Sequence, residues 1–143
     1  MTSRIEPYRV SAYNTSKHSE NKMHDDTVAK RYGFNGGLVP GVDVMAYMMH
    51  LPVAKWGRAF LERGLIEARF TKPVYDGELA DVTGEESNGA LLIEVMSRGE
   101  VCATGNASLP PAAPSFSLAD YVETAAVTER KPVDAANGLV QCR

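Results

Sequence analysis

The sequence predicts an α+β domain in which a long helix packs against an antiparallel sheet. An apolar, methionine-rich stretch from residue 41 to residue 64 has the three- and four-residue spacing of a helix. After it, short alternating apolar runs are separated by Asp76-Gly77, Asn88-Gly89 and Arg98-Gly99. Dipeptides of this kind connect neighbouring antiparallel strands, and Asn-Gly is the most favoured of them.

The N-terminal part of the chain contributes one strand and one short helix to this prediction. Residues 4–13 have a weak strand pattern. Pro7 favours an edge position for that strand, because proline cannot donate a hydrogen bond to a neighbouring strand. Residues 19–32 are typical of a short helix or helical turn, and Ser19 is the candidate N-cap.

The central stretch, residues 41–64, is the longest predicted helix. Its broad apolar face is typical of core packing and is made by Val44, Met45, Met48 and Met49. Pro52 is expected to kink the helix or to begin a second segment, because proline removes a backbone donor. Arg63 followed by Gly64 is typical of a helix end.

Four strands are predicted after the helix, over residues 65–74, 79–86, 90–96 and 101–109. Together with the N-terminal strand they form a five-stranded antiparallel sheet wrapped around the long helix. We expect residues 1–109 to make one domain. Residues 110–143, which are rich in proline and alanine, are expected to form a C-terminal tail.

Composition excludes several classes of function. The net charge of −3 gives no basic surface for nucleic acid or an anionic membrane. No apolar run approaches the roughly 20 residues that span a bilayer. The first residues show no signal-peptide pattern, so a cytoplasmic location is expected. The two cysteines, Cys102 and Cys142, lack the spacing of metal ligands, and neither a metal nor a cofactor is predicted.

The segment NKMHDDTVA carries the most informative pattern, with Asn21, His24, Asp26 and Ala29 at fixed spacing. It resembles the MaoC-like branch of the hotdog fold, which contains (R)-specific enoyl-CoA hydratases. That family has an Asp-x-Asn-Pro-x-His segment, then an aspartate two places on and an alanine five places on. Two later segments, residues 38–41 and 70–79, are also similar to the family. The resemblance covers residues 19–109.

The resemblance implies hydration or dehydration of a 2-enoyl or 3-hydroxyacyl thioester of the acyl-CoA type. Such an enzyme, a lyase, needs an acid–base pair around one water and donors for the developing oxyanion. His24 matches the acid–base histidine, and the Gly41 backbone N–H matches the oxyanion donor at a helix start. Ser19 falls where the family has its catalytic aspartate and cannot act as a carboxylate base. The neighbouring Glu20 is a candidate partial substitute.

Other interpretations of these residues stay open. If the resemblance to the family is set aside, His24 is more typical of a histidine that caps a loop. Gly41 is then typical of a glycine that permits a turn after Pro40. His18 and His24 with the adjacent aspartates show no recognised metal spacing. His50 is typical of a core or interface histidine. Two strand charges that could meet CoA phosphates are more typical of a solvated surface; they are Arg69 and Lys72.

Two further functions therefore compete with the hydratase. The loss of the aspartate fits a non-catalytic hotdog subunit that binds acyl-CoA or supports an assembly. It also fits an acyl-CoA thioesterase, in which an acid near the same helix activates water. A homodimer or higher homo-oligomer is expected in each case, because an edge strand of the sheet is left unpaired.

Overall fold

The computed structural model describes residues 5–18, 24–113 and 115–125. The described strands and helices are, in chain order, β1 (Tyr8–Ser11), α1 (Asp26–Arg31), α2 (Gly41–Trp56), α3 (Arg58–Arg63), β2 (Leu65–Phe70), β3 (Leu79–Ser87), β4 (Ala90–Ser97) and β5 (Glu100–Ser108). A 3-10 turn, Leu118–Asp120, follows in an exposed segment. The predicted α+β architecture is confirmed. The division of the chain at residue 109 stays a prediction.

The five strands form one antiparallel sheet in the order β1-β3-β4-β5-β2. The predicted edge position of the first strand is confirmed, and β2 forms the other edge. Tight turns join β3 to β4 and β4 to β5, as predicted. The prediction that Asp76-Gly77 joins neighbouring strands was wrong, because β2 pairs with β5 whereas β3 pairs with β1 and β4. Asn88 and Arg98 adopt positive φ angles of 50° and 55°, each followed by a glycine with positive φ. This is the backbone that two-residue hairpins require.

Helix α2 lies against one face of the sheet and buries its apolar face there. Met48 and Leu51 are fully buried, and Val44 is nearly so. The sheet side of the same core is made by buried residues of β3, β4 and β5: Ala80, Val82, Leu91, Ile93, Val95, Cys102, Ala103 and Ala107. The methionine-rich face is therefore core packing. Within the described ranges, no helix has both the length and the apolar character needed to cross a membrane.

Two helix boundaries differ from the prediction. Of the two alternatives for Pro52, the start of a second segment is wrong, because Pro52 lies inside α2 and is buried. One proline removes only one helical hydrogen bond, and core packing offsets that loss. The break comes at Gly57, where φ is +59°. Helix α1 is capped by Asp25 and not by Ser19, since the Asp25 carboxylate accepts hydrogen bonds from the Thr27 and Val28 N–H groups.

Candidate active site

A small apolar cleft lies where α2 begins, between that helix and the end of β2. Its volume is about 280 Å³. The lining residues come from the loop before α2, from its first turn, and from the segment that follows β2; they are Leu38, Val39, Gly41, Val44, Phe70, Thr71, Lys72, Pro73 and Val74. A cleft of this size holds a small group, because pockets for drug-sized ligands run from about 300 to 1,000 Å³.

The start of α2 supplies backbone donors to this cleft. Pro40 is the N-cap and provides no side-chain hydrogen bond. The first intrahelical bonds run from the Asp43 and Val44 N–H groups to the Pro40 carbonyl. The N–H groups before them have no acceptor within the helix, and they lie at the positive end of its dipole. Gly41 is exposed, and its missing Cβ would stand 3.9 Å from the Phe70 ring.

His24 lies beside the same loop and is half-buried. Its Nδ1 is 2.8 Å from the Leu38 carbonyl oxygen. A carbonyl oxygen only accepts hydrogen bonds, so Nδ1 carries the proton and donates it. In the neutral ring Nε2 is then left unprotonated, with a lone pair available as a base. Leu38 lines the cleft three residues before Gly41, but His24 is not itself among the lining residues.

The loop around His24 is held by contacts that the sequence did not predict. The Asn14 side chain, which is 1% exposed, donates from Nδ2 to the His24 carbonyl oxygen at 2.8 Å. The Asn14 N–H in turn donates to Asp76 Oδ1 at 2.8 Å. The carboxylate of Asp26 accepts from the Gly37 N–H, also at 2.8 Å. The His24 backbone is therefore held by Asn14, which is itself held by Asp76, and the backbone after His24 is tied to Gly37 through Asp26.

Charge contributes to the same scaffold. The Lys30 ammonium and the Gly37 N–H, both hydrogen-bonded to Asp26, lower the pKa of its carboxyl. Burial by itself raises the pKa of Asp76, but hydrogen bonds from the Lys17 ammonium and the Asn14 N–H lower that pKa overall. Both carboxyls therefore stay ionised at neutral pH, where Asp26 accepts from the Gly37 N–H and Asp76 from the Asn14 N–H.

Of the remaining candidate residues, Lys72 reaches the cleft, whereas Arg69 and His50 lie elsewhere. Lys72 is on its rim and is paired with Glu100 at 2.6 Å. Arg69 neighbours Phe70 along β2 and so lies on the opposite face of the sheet. The exposed His50 stacks on Tyr8, with ring centroids 3.8 Å apart. The described parts of the chain contain no group of three or more candidate metal ligands.

Several predicted residues lie outside the described ranges. These are Ser19, Glu20 and Asn21, so their predicted roles stay predictions. The structure adds two residues to the candidate site, Asn14 and Asp76. They lie far apart in the chain and hydrogen-bond mainly to backbone groups. No sequence motif marks such contacts.

A larger concavity of about 680 Å³ lies on the other face of the sheet. Its charged lining consists of Glu67, Arg69, Glu85 and Glu94, together with polar residues of β3 and β5. Its lining includes no residue of α2 or of the His24 loop. We therefore assign the candidate site to the smaller cleft, where backbone donors and a histidine lie near an apolar wall.

Comparison with known proteins identifies the fold. No protein-family model and no curated protein sequence matches the chain. A MaoC-like dehydratase from Phytophthora capsici has a similar structure, with a TM-score of 0.63 and 19% identity. The match covers 78% of this chain and 46% of that one, so this chain spans about half the length of the Phytophthora protein. The chain has a hotdog fold.

Two further structures share this hotdog fold. The (R)-hydratase PhaJ1 from Pseudomonas aeruginosa matches with a TM-score of 0.54 and 16% identity, over 82% of this chain and 90% of that one. A chain of the ChsH1–ChsH2 complex from Mycobacterium tuberculosis matches with a TM-score of 0.57 and 14% identity. That match covers 76% of this chain and 96% of the other. The fold class predicted from the sequence is confirmed.

Proposed function

We propose that this protein catalyses the hydration of a 2-enoyl thioester of the acyl-CoA type, or the reverse dehydration of a 3-hydroxyacyl thioester. The observation that carries the proposal is the hydrogen bond from His24 Nδ1 to the Leu38 carbonyl. It leaves Nε2 as a base next to the loop that leads into the start of α2. The similarity in fold to a dehydratase and an (R)-hydratase supports the same reaction class.

In the hydration direction, the acyl group occupies the apolar cleft with its carbonyl oxygen at the start of α2. The Gly41 N–H donates to that oxygen as negative charge develops on it. His24 Nε2 accepts a proton from the attacking water as the water oxygen bonds to Cβ. The imidazolium then gives a proton to Cα of the enolate, which makes the ring neutral again. Each proton transfer needs an acid or base within hydrogen-bond reach of one water.

The related hydratases pair the histidine with a second acid–base group, an aspartate. Ser19 holds the place of the family aspartate, and a hydroxyl can hold water but cannot accept its proton at neutral pH. We propose that Glu20 or an acid of a partner chain substitutes for it in part, so that turnover is weak. Retained acyl-CoA binding without turnover would instead support the non-catalytic subunit. Hydrolysis of the thioester would support the thioesterase.

We also propose a cytoplasmic protein that forms a homodimer through the free edge of β2. Among the described residues this strand pairs only with β5, and it ends at the cleft. An edge strand of six residues invites pairing with a second copy, and ligand clefts are often found at such junctions. Sedimentation at micromolar concentration is expected to give a dimer, and a monomer would overturn this proposal.

The wild-type protein is expected to consume a short 2-enoyl-CoA slowly, seen as loss of the conjugated enoyl absorbance. Free thiol should not appear, because the thioester bond is not broken in hydration. The two readouts separate the proposed hydratase from a thioesterase. If neither signal changes while acyl-CoA still binds, the hydratase assignment is rejected.

A further inference from the structure

The tautomer of His24 depends on one hydrogen bond, from Nδ1 to the Leu38 carbonyl oxygen at 2.8 Å. A histidine ring turns about two side-chain bonds, so this hydrogen bond forms only while the His24 backbone and the Leu38 carbonyl keep a fixed separation. Without it, either ring nitrogen can carry the proton. The lone pair is then no longer confined to Nε2.

The Asn14 side chain holds the His24 end of this hydrogen bond. Its Nδ2 donates to the His24 carbonyl oxygen at 2.8 Å, and its Oδ1 accepts from the Ser16 N–H at 2.9 Å. These two partners give the amide a single orientation. A Cβ on Gly37 would stand 3.0 Å from the His24 oxygen and 3.3 Å from Nδ2, so the Gly37 backbone covers the bond. Asn14 is 1% exposed, and water has little access to replace its amide.

The residue that holds Asn14 also holds the Leu38 end. Asp76 Oδ1 accepts from the Asn14 N–H at 2.8 Å, and the Asp76 N–H donates to the Gly37 carbonyl oxygen at 3.1 Å. Leu38 follows Gly37 and forms a β-bridge with Tyr75. Both ends of the histidine's hydrogen bond are therefore fixed relative to the same two adjacent residues.

We propose that Asn14 is a positioning residue for His24: it holds the histidine backbone where only the tautomer with the proton on Nδ1 forms its hydrogen bond, and so makes Nε2 the base. The effect on rate rests on the proposed function, whereas the tautomer is a property of the free protein. A residue that only stabilised the fold would change the amount of folded protein. It would leave the tautomer of the folded molecules unchanged.

Asn14→Asp tests the assignment with little change of shape. The carboxylate keeps an oxygen that accepts from the Ser16 N–H, but it has no donor for the His24 carbonyl. The readout is nitrogen–proton correlation NMR of the imidazole rings, without substrate, at a pH where the rings are neutral. His24→Ala identifies the signals of His24 among those of the three histidines. Wild type should show a proton on Nδ1 alone, and Asn14→Asp should show signals averaged over both tautomers.

The same variant is expected to lower kcat for hydration of a short 2-enoyl-CoA by about 10–100-fold. The reason is that displacing a catalytic group by about 1 Å can cost about 10²-fold in rate. Asn14 is not among the residues that line the cleft. KM should therefore change by less than about twofold, because substrate binding is kept while a group that acts on the reacting water is displaced.

Leu51→Ala is the control for lost stability. Leu51 is fully buried in α2, and its side chain lies against Gly84 of β3, outside the hydrogen bonds that hold His24. Its removal leaves a cavity in the core and lowers the stability of the fold. The His24 tautomer is expected to stay as in wild type.

A pair of variants at Asp76 gives a second test, which also serves if Asn14→Asp does not fold. Asp76→Asn keeps an oxygen that can accept from the Asn14 N–H, so the Nδ1–H tautomer should be retained. Asp76→Ala removes that acceptor and should give the averaged signals. Equal behaviour of the two Asp76 variants would contradict the proposal.

The outcomes separate this proposal from the hydratase. If wild type shows no turnover, loss of the Nδ1–H tautomer in Asn14→Asp still supports the role of Asn14, and only the hydratase is rejected. If wild type turns over, the tautomer and kcat must both change in Asn14→Asp, and a change in only one of them overturns the proposal. A wild-type ring protonated on Nε2, or an equal loss of the tautomer in Leu51→Ala, overturns it as well.

Discussion

His24→Ala is expected to reduce hydration of a short 2-enoyl-CoA by about 10²–10⁴-fold, the usual cost of losing a positioned acid–base group. The hydrogen bond from Nδ1 to the Leu38 carbonyl fixes the ring and leaves Nε2 free, and alanine removes both features. The measurement is the initial rate of loss of the enoyl absorbance at saturating substrate. Binding of a saturated acyl-CoA should change little, because the histidine is not part of the cleft lining.

His50→Ala provides the control for this experiment. His50 is exposed, and its ring stacks on Tyr8 away from the start of α2. The change should leave the hydration rate within about twofold of wild type, since surface substitutions usually have small effects. An unchanged rate in His24→Ala would assign the base to another residue.

Ser19→Asp is expected to raise the hydration rate, by up to the same 10²–10⁴-fold that a second acid–base group contributes. A carboxylate at this position can accept the proton that a serine hydroxyl cannot. The gain should appear in kcat more than in KM, because the new group acts on the reacting water and not on the acyl chain. A lower rate in Ser19→Asp than in wild type would contradict the prediction.

Glu20→Gln, measured in the same assay, tests whether Glu20 acts in place of an aspartate at position 19. If Glu20 partly replaces the missing aspartate, Glu20→Gln should reduce wild-type turnover but have little effect in the Ser19→Asp background. The double variant, Ser19→Asp with Glu20→Gln, measures this coupling, since the effects of mutations at residues that share one role do not add. Equal effects in both backgrounds would show that Glu20 does not serve as the base.

The parts of the fold that the sequence predicted are those encoded by local patterns. Asn88-Gly89 and Arg98-Gly99 fix two hairpins through backbone preferences of two residues each. The start of a second helical segment was one alternative at Pro52 because proline has a strong local signal, whereas the burial that tolerates it depends on the whole core. Gly57 carried a usable signal, since glycine favours the positive φ found there.

The candidate site was less accessible to sequence reasoning. Motif spacing singled out His24 and Gly41, and the short loop between them limited how far they could separate. The contacts that hold His24 join residues far apart in the chain, as between Asn14 and the His24 carbonyl. The packing of Met48 against the sheet depends on a glycine in β5, Gly105. Contacts between distant segments of this kind follow only from the assembled fold.

The strand order has a consequence for how the domain assembles and opens. Strands β3, β4 and β5 are consecutive hairpins, so their contacts are local and can form early. Both edges, β1 and β2, must instead find partners across long stretches of chain. The cleft and the His24 loop lie next to these two edge strands, which pair with the sheet after the hairpins have formed. The region that would bind a ligand can therefore loosen in local fluctuations while the central meander stays intact, and ligand binding would draw its edges together.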